Sequence, residues 1–245
     1  MCFADDAQPP APPVRGEVGE QGSLVLESAD GTAFRAYRAH PPEPADQAIL
    51  ILPDGRGLHP FYYRLAARWA ETGRHALAVD YFGRTAGTAE RGEDFPFLEH
   101  ARQLDPADVA RDASAGIAWL REQTGARTVF VVGFCVGGAF SWRQAAAGDG
   151  LAGAIGFYGI PSSAADIAGE ITAPLLVLAA GQDFTPVAET EAFAASVRAR
   201  AGVDVQVKVY PDAPHSFFDQ KFDDHREACA DAWDQQLAFI DRNAG

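Results

Sequence analysis

Cys135 is the residue whose neighbours in the sequence point most directly to chemistry. It lies in Val129–Gly138, where an apolar run enters the pattern G-x-C-x-G and then a helix-compatible segment. This order is typical of a nucleophile elbow, a sharp turn whose glycines, here Gly133, Gly137 and Gly138, remove side chains that would collide. The turn places the thiol at a helix N-terminus, which predicts an activated thiolate. For the motif alone, the alternative is a small buried core residue.

A nucleophilic cysteine needs a base and an acid that orients it, and candidates for both follow Cys135. Asp183 comes directly after the apolar run PLLVLAA and its short extension, and His215 lies in the loop after VQVKVY. Loops at the carboxyl ends of parallel strands meet at one edge of a sheet, so we predict a triad of Cys135, Asp183 and His215. Taken alone, Asp183 could cap a helix starting near Thr185, and His215 could be an ordinary loop histidine.

An oxyanion formed by attack on a carbonyl needs two backbone donors. One is predicted at Val136, directly after the cysteine, and the other at Gly55 in the loop L-P-D-G-R-G. That loop could equally be an ordinary turn. His59 also follows a predicted strand, but it precedes the cysteine, so we assign it to the pocket and not to the base.

The elements that must position these residues form an α/β pattern. Short apolar runs alternate with helix-patterned stretches from Ser23 onward, which predicts a mostly parallel sheet of about seven to eight strands with helices on both faces. Leu24–Glu27 and Phe34–Ala39 predict an antiparallel edge. The buried strands are predicted from the continuous apolar runs AILIL, HALAV, TVFVV, GAIGFY and PLLVLAA, with VQVKVY as a further strand. The clearest helix is 105–122, capped by Asp105.

The composition excludes several classes of protein. The chain has 245 residues and a net charge of −14, so we expect one domain and no nucleic-acid partner. No apolar run reaches the roughly 20 residues that a membrane crossing needs. Three cysteines without a CxxC pair indicate a reducing, cytoplasmic location. No metal-ligand spacing and no organic cofactor are indicated. Residues 1–20 predict a flexible Pro-rich tail before a single domain over residues 21–245.

Together these motifs resemble the dienelactone hydrolase family, cysteine-dependent α/β-hydrolases named for opening enol-lactones. The similarity extends from about residue 49 to the C-terminus. It is carried by the segments GFCVGGA, GFYG, AGQD, PDAPHSF and VDYFGRTAGTA. The resemblance implies the α/β-hydrolase fold and the same triad. It also implies that Arg84 binds a substrate carboxylate.

Two positions depart from the family pattern. Asp54 stands where the family has a glutamate thought to hold the nucleophile at rest, and its side chain is one methylene shorter. Asp219 stands where the family has a second substrate-binding arginine, and a carboxylate there repels an anionic substrate. Arg56, ranked above Lys221, is the candidate replacement cation. These departures predict a specificity shifted away from the anionic dienelactone.

The predicted function is hydrolysis of a small-molecule lactone or ester through a thioester, with Tyr158 and Phe217 also lining the pocket. Aromatic residues near the site favour a substrate with an apolar body and one polar group. A non-catalytic ligand-binding or thiol-sensing protein on the same fold, or an acyl transferase, is the alternative. The oligomeric state cannot be read from the sequence.

Overall fold

A single eight-stranded sheet lies at the centre of the molecule. The computed structural model describes residues 7–219 and 224–245. The strands are β1 (Gln21–Glu27), β2 (Ala33–Ala39), β3 (Gln47–Leu52), β4 (His75–Val79), β5 (Thr128–Phe134), β6 (Gly153–Phe157), β7 (Leu175–Gln182) and β8 (Val205–Pro214). The helices are α1 (Pro60–Glu71), α2 (Gly83–Ala86), α3 (Phe97–Ala101), α4 (Pro106–Thr124), α5 (Val136–Gln144), α6 (Val187–Ala201) and α7 (Arg226–Asn243).

The strands lie in the order β1-β2-β4-β3-β5-β6-β7-β8. The pairs β1–β2 and β2–β4 are antiparallel, and every other pair is parallel. The predicted α/β architecture, a mostly parallel sheet with an antiparallel edge, is confirmed. All the loops that follow β3, β5, β6, β7 and β8 therefore emerge at the same edge of the sheet.

The sheet is covered by helices on both faces because successive side chains in a buried strand point to opposite sides. In β3, Ile49 and Ile51 pack in the cluster that contains α1 and α7. Leu50 and Leu52 pack with α4 on the other face. Helices α5 and α6 add a third cluster around the buried Trp142.

Local signals in the sequence set the ends of the elements that carry the site. The carboxylate of Asp105 accepts a hydrogen bond from Ala107 N at 2.8 Å, and Gly125 ends α4 with φ 71°. Strand β8 runs four residues further than the predicted 205–210, because it pairs with β7 past an irregularity between Ala180 and Gln182. His215 thus follows the strand directly.

Residues 7–20 form neither helix nor strand, yet they pack against the domain. Pro10 O accepts a hydrogen bond from Trp233 Nε1 at 3.1 Å, and Glu71 O accepts one from Gly16 N at 2.7 Å. The prediction of a flexible tail over residues 1–20 does not fit these contacts, since apolar prolines and backbone groups are held by α1 and α7. Residues 1–6 lie outside the described part of the chain.

No helix in the described ranges is both long enough and apolar enough to span a membrane.

Candidate active site

The turn between β5 and α5 holds Cys135 in a strained backbone conformation. Its φ of 55° and ψ of −118° are rare for a residue with a side chain. A Cβ on Gly133 would lie 1.9 Å from Gly137 O, and one on Gly137 would lie 2.2 Å from Pro53 O. Only glycine fits at these two positions, so the sequence pattern follows from the close approach of strand, helix and neighbouring loop.

His215 and Asp183 form a closely paired base and acid at the ends of β8 and β7. His215 Nδ1 lies 3.0 Å from Asp183 Oδ1 and 2.9 Å from Oδ2. The Asp183 side chain is only 4% exposed, and that of His215 is 20% exposed. Because the carboxylate accepts the proton on Nδ1, Nε2 keeps the lone pair that a general base requires. Asp183 Oδ1 also accepts a hydrogen bond from Thr185 N at 3.4 Å, so it has the capping contact as well.

Two aromatic rings contact the imidazole of His215. The ring centroid of Tyr158 lies 4.9 Å from that of His215, and the ring of Phe184 lies at 4.6 Å. Ser216, directly after the histidine, has φ 62°, which turns the chain sharply behind it. These contacts restrict the rotation of the base.

The surroundings of Cys135 favour the protonated thiol over the thiolate. Burial, followed by the negative charge of Asp54, raises its pKa to about 12, and Asp219 and Asp183 act in the same direction. A hydrogen bond from the backbone of Val136 lowers the pKa but is outweighed. Desolvation and three carboxylates thus oppose the predicted activation of the thiolate by the helix N-terminus.

Asp54 and Asp219 are both buried carboxylates with defined partners. Asp54 Oδ1 accepts a hydrogen bond from Arg56 N at 2.9 Å and lies 3.8 Å from His59 Nε2. Tyr158 donates its hydroxyl proton to Asp219 Oδ2 at 3.0 Å, and the Asp219 residue is 2% exposed. The residue that replaces the family arginine therefore lies within electrostatic reach of the thiol.

The loop after β3 is held by two tyrosines that the sequence analysis did not select. Asp54 N donates to the hydroxyl of Tyr62 at 2.8 Å, and the hydroxyl of Tyr81 donates to Pro53 O at 2.7 Å. Both tyrosines are buried. The hydroxyl of a buried tyrosine usually has a hydrogen-bond partner, and this rule could have identified both residues as candidates. Their contacts fix the backbone directly before Gly55.

Three comparisons with known proteins were made. Residues 34–243 match the model of the dienelactone hydrolase family. The chain belongs to the dienelactone hydrolase family. It is 28% identical to a putative carboxymethylenebutenolidase of Salmonella typhi, covering 99% of this chain and 96% of that one. A carboxymethylenebutenolidase of Rhodococcus opacus is 27% identical, with 99% and 97% covered.

Solved structures give the same family and the same fold. A putative dienelactone hydrolase of Klebsiella pneumoniae is 26% identical, with a TM-score of 0.78 over 92% of this chain and 99% of that one. A dienelactone hydrolase-like promiscuous phosphotriesterase from metagenomic libraries is also 26% identical, with a TM-score of 0.75 and the same coverage. The predicted α/β-hydrolase fold is thereby confirmed. The chain is a hydrolase of the dienelactone hydrolase type.

Arg84 is engaged by carboxylates on elements other than the loops that carry Cys135, Asp183 and His215. Its guanidinium donates to Asp30 Oδ2 at 2.5 Å and to Asp112 Oδ1 at 2.7 Å, and it lies 3.7 Å from Asp108 Oδ2. It also donates to Thr32 Oγ1 at 2.7 Å. Three carboxylates thus engage the arginine between the β1–β2 turn and α4. We correct its assignment from substrate binding to a structural ion-pair network.

The predicted location of Phe217 is likewise corrected, from the pocket to the hydrophobic core. It has no exposed surface, and its ring packs on Tyr158 and Tyr210, with centroids 5.7 and 4.9 Å away. Tyr158 stays close to the base through its ring, but its hydroxyl is engaged by Asp219. The sequence could not separate the two because both types are enriched in cores as well as in pockets.

Arg56 lies beside a small cavity formed after β3. Arg56 is 8% exposed, and its Nη1 lies 3.4 Å from His59 Nδ1. The other residues around the cavity include Leu58, Arg91 and Phe95. His59 thus lies next to the predicted pocket loop, while Lys221 lies outside the described residues.

No group of three or more His, Cys, Asp or Glu side chains in the described ranges is arranged to hold a metal ion.

Proposed function

We propose that this protein hydrolyses a neutral carboxylic ester or lactone, with Cys135 as the nucleophile of a triad completed by His215 and Asp183. The observation that carries the proposal is the two-oxygen contact of Asp183 with His215 Nδ1, on loops of the sheet edge that also bears the Cys135 elbow. A resting thiol needs such a base. The imidazole takes up the proton as the sulfur attacks.

The first half of the reaction forms a thioester. Sγ of Cys135 bonds to the carbonyl carbon while its proton moves to Nε2 of His215. The N–H groups of Val136 and Gly55 stabilise the oxyanion. The C–O bond then breaks, and the leaving oxygen takes the proton from His215. In a lactone the leaving hydroxyl stays attached to the acyl group.

The second half releases the acid. Water attacks the thioester carbon and gives a proton to His215, the same two N–H groups hold the oxyanion, and the C–S bond breaks. The proton returns to the sulfur, which restores the thiol. Asp183 stabilises the imidazolium in both halves without being protonated itself.

The preference for a neutral substrate rests on the charges around the sulfur. Asp54, Asp183 and Asp219 all raise the pKa of Cys135, so each places negative potential at the reacting atom. The predicted carboxylate-binding cation, Arg84, is engaged elsewhere by three aspartates. An anionic substrate would meet repulsion here, whereas an uncharged ester or lactone would not.

The raised pKa also weighs against a thiol sensor. Redox-sensing cysteines have a lowered pKa and an exposed sulfur, and burial has moved the pKa of Cys135 in the opposite direction. The usual reducing environment of free thiols accords with our inference of a cytoplasmic location.

The test is a matched panel of neutral and anionic esters and lactones, with a neutral phosphotriester added because one structural relative is described as a phosphotriesterase. We expect turnover that Cys135→Ala reduces at least about a thousandfold while the circular dichroism spectrum is unchanged. Cys229→Ala is the matched control, because this cysteine is buried behind Phe217 with its thiol donating to Phe217 O at 3.4 Å. Undiminished turnover by Cys135→Ala would end the proposal.

A further inference from the structure

Two histidines face each other at the end of the sheet opposite the active site. His40 directly follows β2 and His75 begins β4, two strands that pair antiparallel with Ala39 opposite Ala76. The next cross-strand pair is therefore His40 and His75. Their Nδ1 atoms lie 3.0 Å apart.

The backbone ladder makes this arrangement rigid. Cross-strand neighbours in a paired β-ladder point to the same face at a fixed separation. The ring of Trp119, from α4, lies nearly parallel to that of His40 with centroids 6.1 Å apart. His75 is 6% exposed. The two nitrogens are thus presented by packed elements and not by a mobile loop.

Ligation of one ion by both Nδ1 atoms needs neutral imidazoles that carry their proton on Nε2, so the proton shared in the Nδ1–Nδ1 contact would move there when the ion binds. Burial is the largest cause that lowers the pKa of each, and the proximity of His75 lowers that of His40 further. Arg38 acts in the same direction on His40, while Glu20 acts against it, and the backbone of Ala45 partly offsets the shift at His75. Neutral imidazole is the ligating form.

The pair opens onto a cavity of about 600 Å³, bounded also by Glu20, Arg38 and Trp119. Two nitrogens 3.0 Å apart can each reach one ion at about 2.0–2.1 Å, which gives an N–metal–N angle near a right angle. That angle suits the octahedral or tetragonal geometry of nickel and copper. The cavity provides room for the water molecules that would complete the coordination.

We propose that His40 and His75 form a two-histidine binding site for a divalent transition-metal ion of the nickel and copper type. Water fills the other positions, and the Glu20 carboxylate, which pairs with Arg38, lies near enough to influence His40. Among the described residues, no third His, Cys, Asp or Glu side chain is grouped with the pair as a ligand. The ion would link β2 to β4 and is independent of the proposed hydrolysis.

The experiment titrates the untagged full-length chain with Ni²⁺ alone at neutral pH. Cys2→Ser and Cys135→Ala are introduced first, so that these thiols do not bind the ion. We expect one ion per chain by calorimetry, with quenching of tryptophan fluorescence that Trp119→Phe largely removes. His40→Asn or His75→Asn should weaken binding at least about tenfold. His100→Asn, which changes a histidine that contacts Thr85 and Phe95, should leave it unchanged.

A second measurement covers the case in which a histidine variant folds poorly. Paramagnetic Ni²⁺ should broaden the imidazole NMR signals of His40 and His75 in the background protein before those of His100 and His225. The proposal is overturned if no binding is detected at millimolar Ni²⁺, if other histidines broaden first, or if the folded double variant binds as tightly as its parent.

Discussion

Two sets of three aspartates lie at different places in this protein. The side chain on which each set acts determines the effect of its carboxylates. Asp30, Asp108 and Asp112 surround the guanidinium of Arg84. Asp54, Asp183 and Asp219 act electrostatically on the thiol of Cys135. The first group neutralises a permanent cation and joins the β1–β2 turn to α2 and α4. The second group acts on an ionisable sulfur.

The contrast shows in the pKa shifts of Asp30 and Cys135. A hydrogen bond from Arg84 is the main cause that lowers the pKa of Asp30 to about 2, so this carboxylate is stabilised as an anion. Around Cys135, burial together with the three carboxylates destabilises the thiolate. The same residue type therefore provides an ion pair in one region and a restraint on the nucleophile in the other.

The largest expected effect comes from the aspartate that orients the base. Asp183→Asn should lower kcat/KM for a neutral ester by about 10³–10⁴-fold, because an amide no longer stabilises the imidazolium or fixes its tautomer. Steady-state kinetics measure this, with Asp212→Asn as the matched control at an exposed position of the neighbouring strand β8. A loss of less than tenfold would remove Asp183 from the triad.

The next effect concerns charge selection. Asp219→Asn should raise the ratio of kcat/KM for an anionic ester over its neutral analogue by about tenfold, since one repulsive charge near the sulfur is removed. The comparison uses ester pairs that differ only in a carboxylate. Glu170→Gln, at an exposed position, is the control for total charge. An unchanged ratio in Asp219→Asn would contradict the proposed preference for neutral substrates.

A smaller effect is expected on the thiol itself. Asp54→Asn should lower the pKa of Cys135 by about one unit, because Asp54 is the charge that raises it most after burial. The rate of alkylation as a function of pH measures the shift. Asp30→Asn, from the group around Arg84, should leave the profile where it is; equal shifts in both variants would erase the distinction between the two groups.

The smallest effect on catalysis is expected at the centre of the structural group. Arg84→Met should leave KM for anionic and neutral esters nearly unchanged, but lower the free energy of unfolding by about 1–2 kcal/mol, since Asp112 is buried and loses its partner. Thermal and urea unfolding measure the loss, with Arg102→Met as a control at an exposed position. A selective rise in KM for the anionic ester would return Arg84 to substrate binding.

Much of the site could be predicted because its signals are local. The glycines around Cys135 are required because a Cβ on Gly133 would lie 1.9 Å from Gly137 O. The elbow can therefore be recognised from adjacent residues in the sequence. Asp183 and His215 were predicted from their places after apolar strands, and the sheet brings them within hydrogen-bond distance. The function of these three residues stays a prediction until the variants are measured.

The site predictions that needed correction were at residues whose contacts come from distant parts of the sequence. Arg84 lies in a family-like segment, but Asp30 and Asp112 come to it from other parts of the chain. Phe217 lies two residues from the base, yet packing against Tyr210 directs it into the core. The pairing of His40 with His75 could not be predicted from the sequence, because only the pairing of β2 with β4 makes them neighbours.

The sequence by itself determined the strand and helix order, the elbow around Cys135, and the order of acid and base, because these depend on patterning and on sterics within a few residues. Tertiary structure alone decided the pKa of the thiol and the ion-pair partners of Arg84. Burial and carboxylates from three separate loops raise the pKa of Cys135, and three aspartates keep Arg84 engaged. Electrostatic effects act through space, so they follow distances that only the folded chain defines.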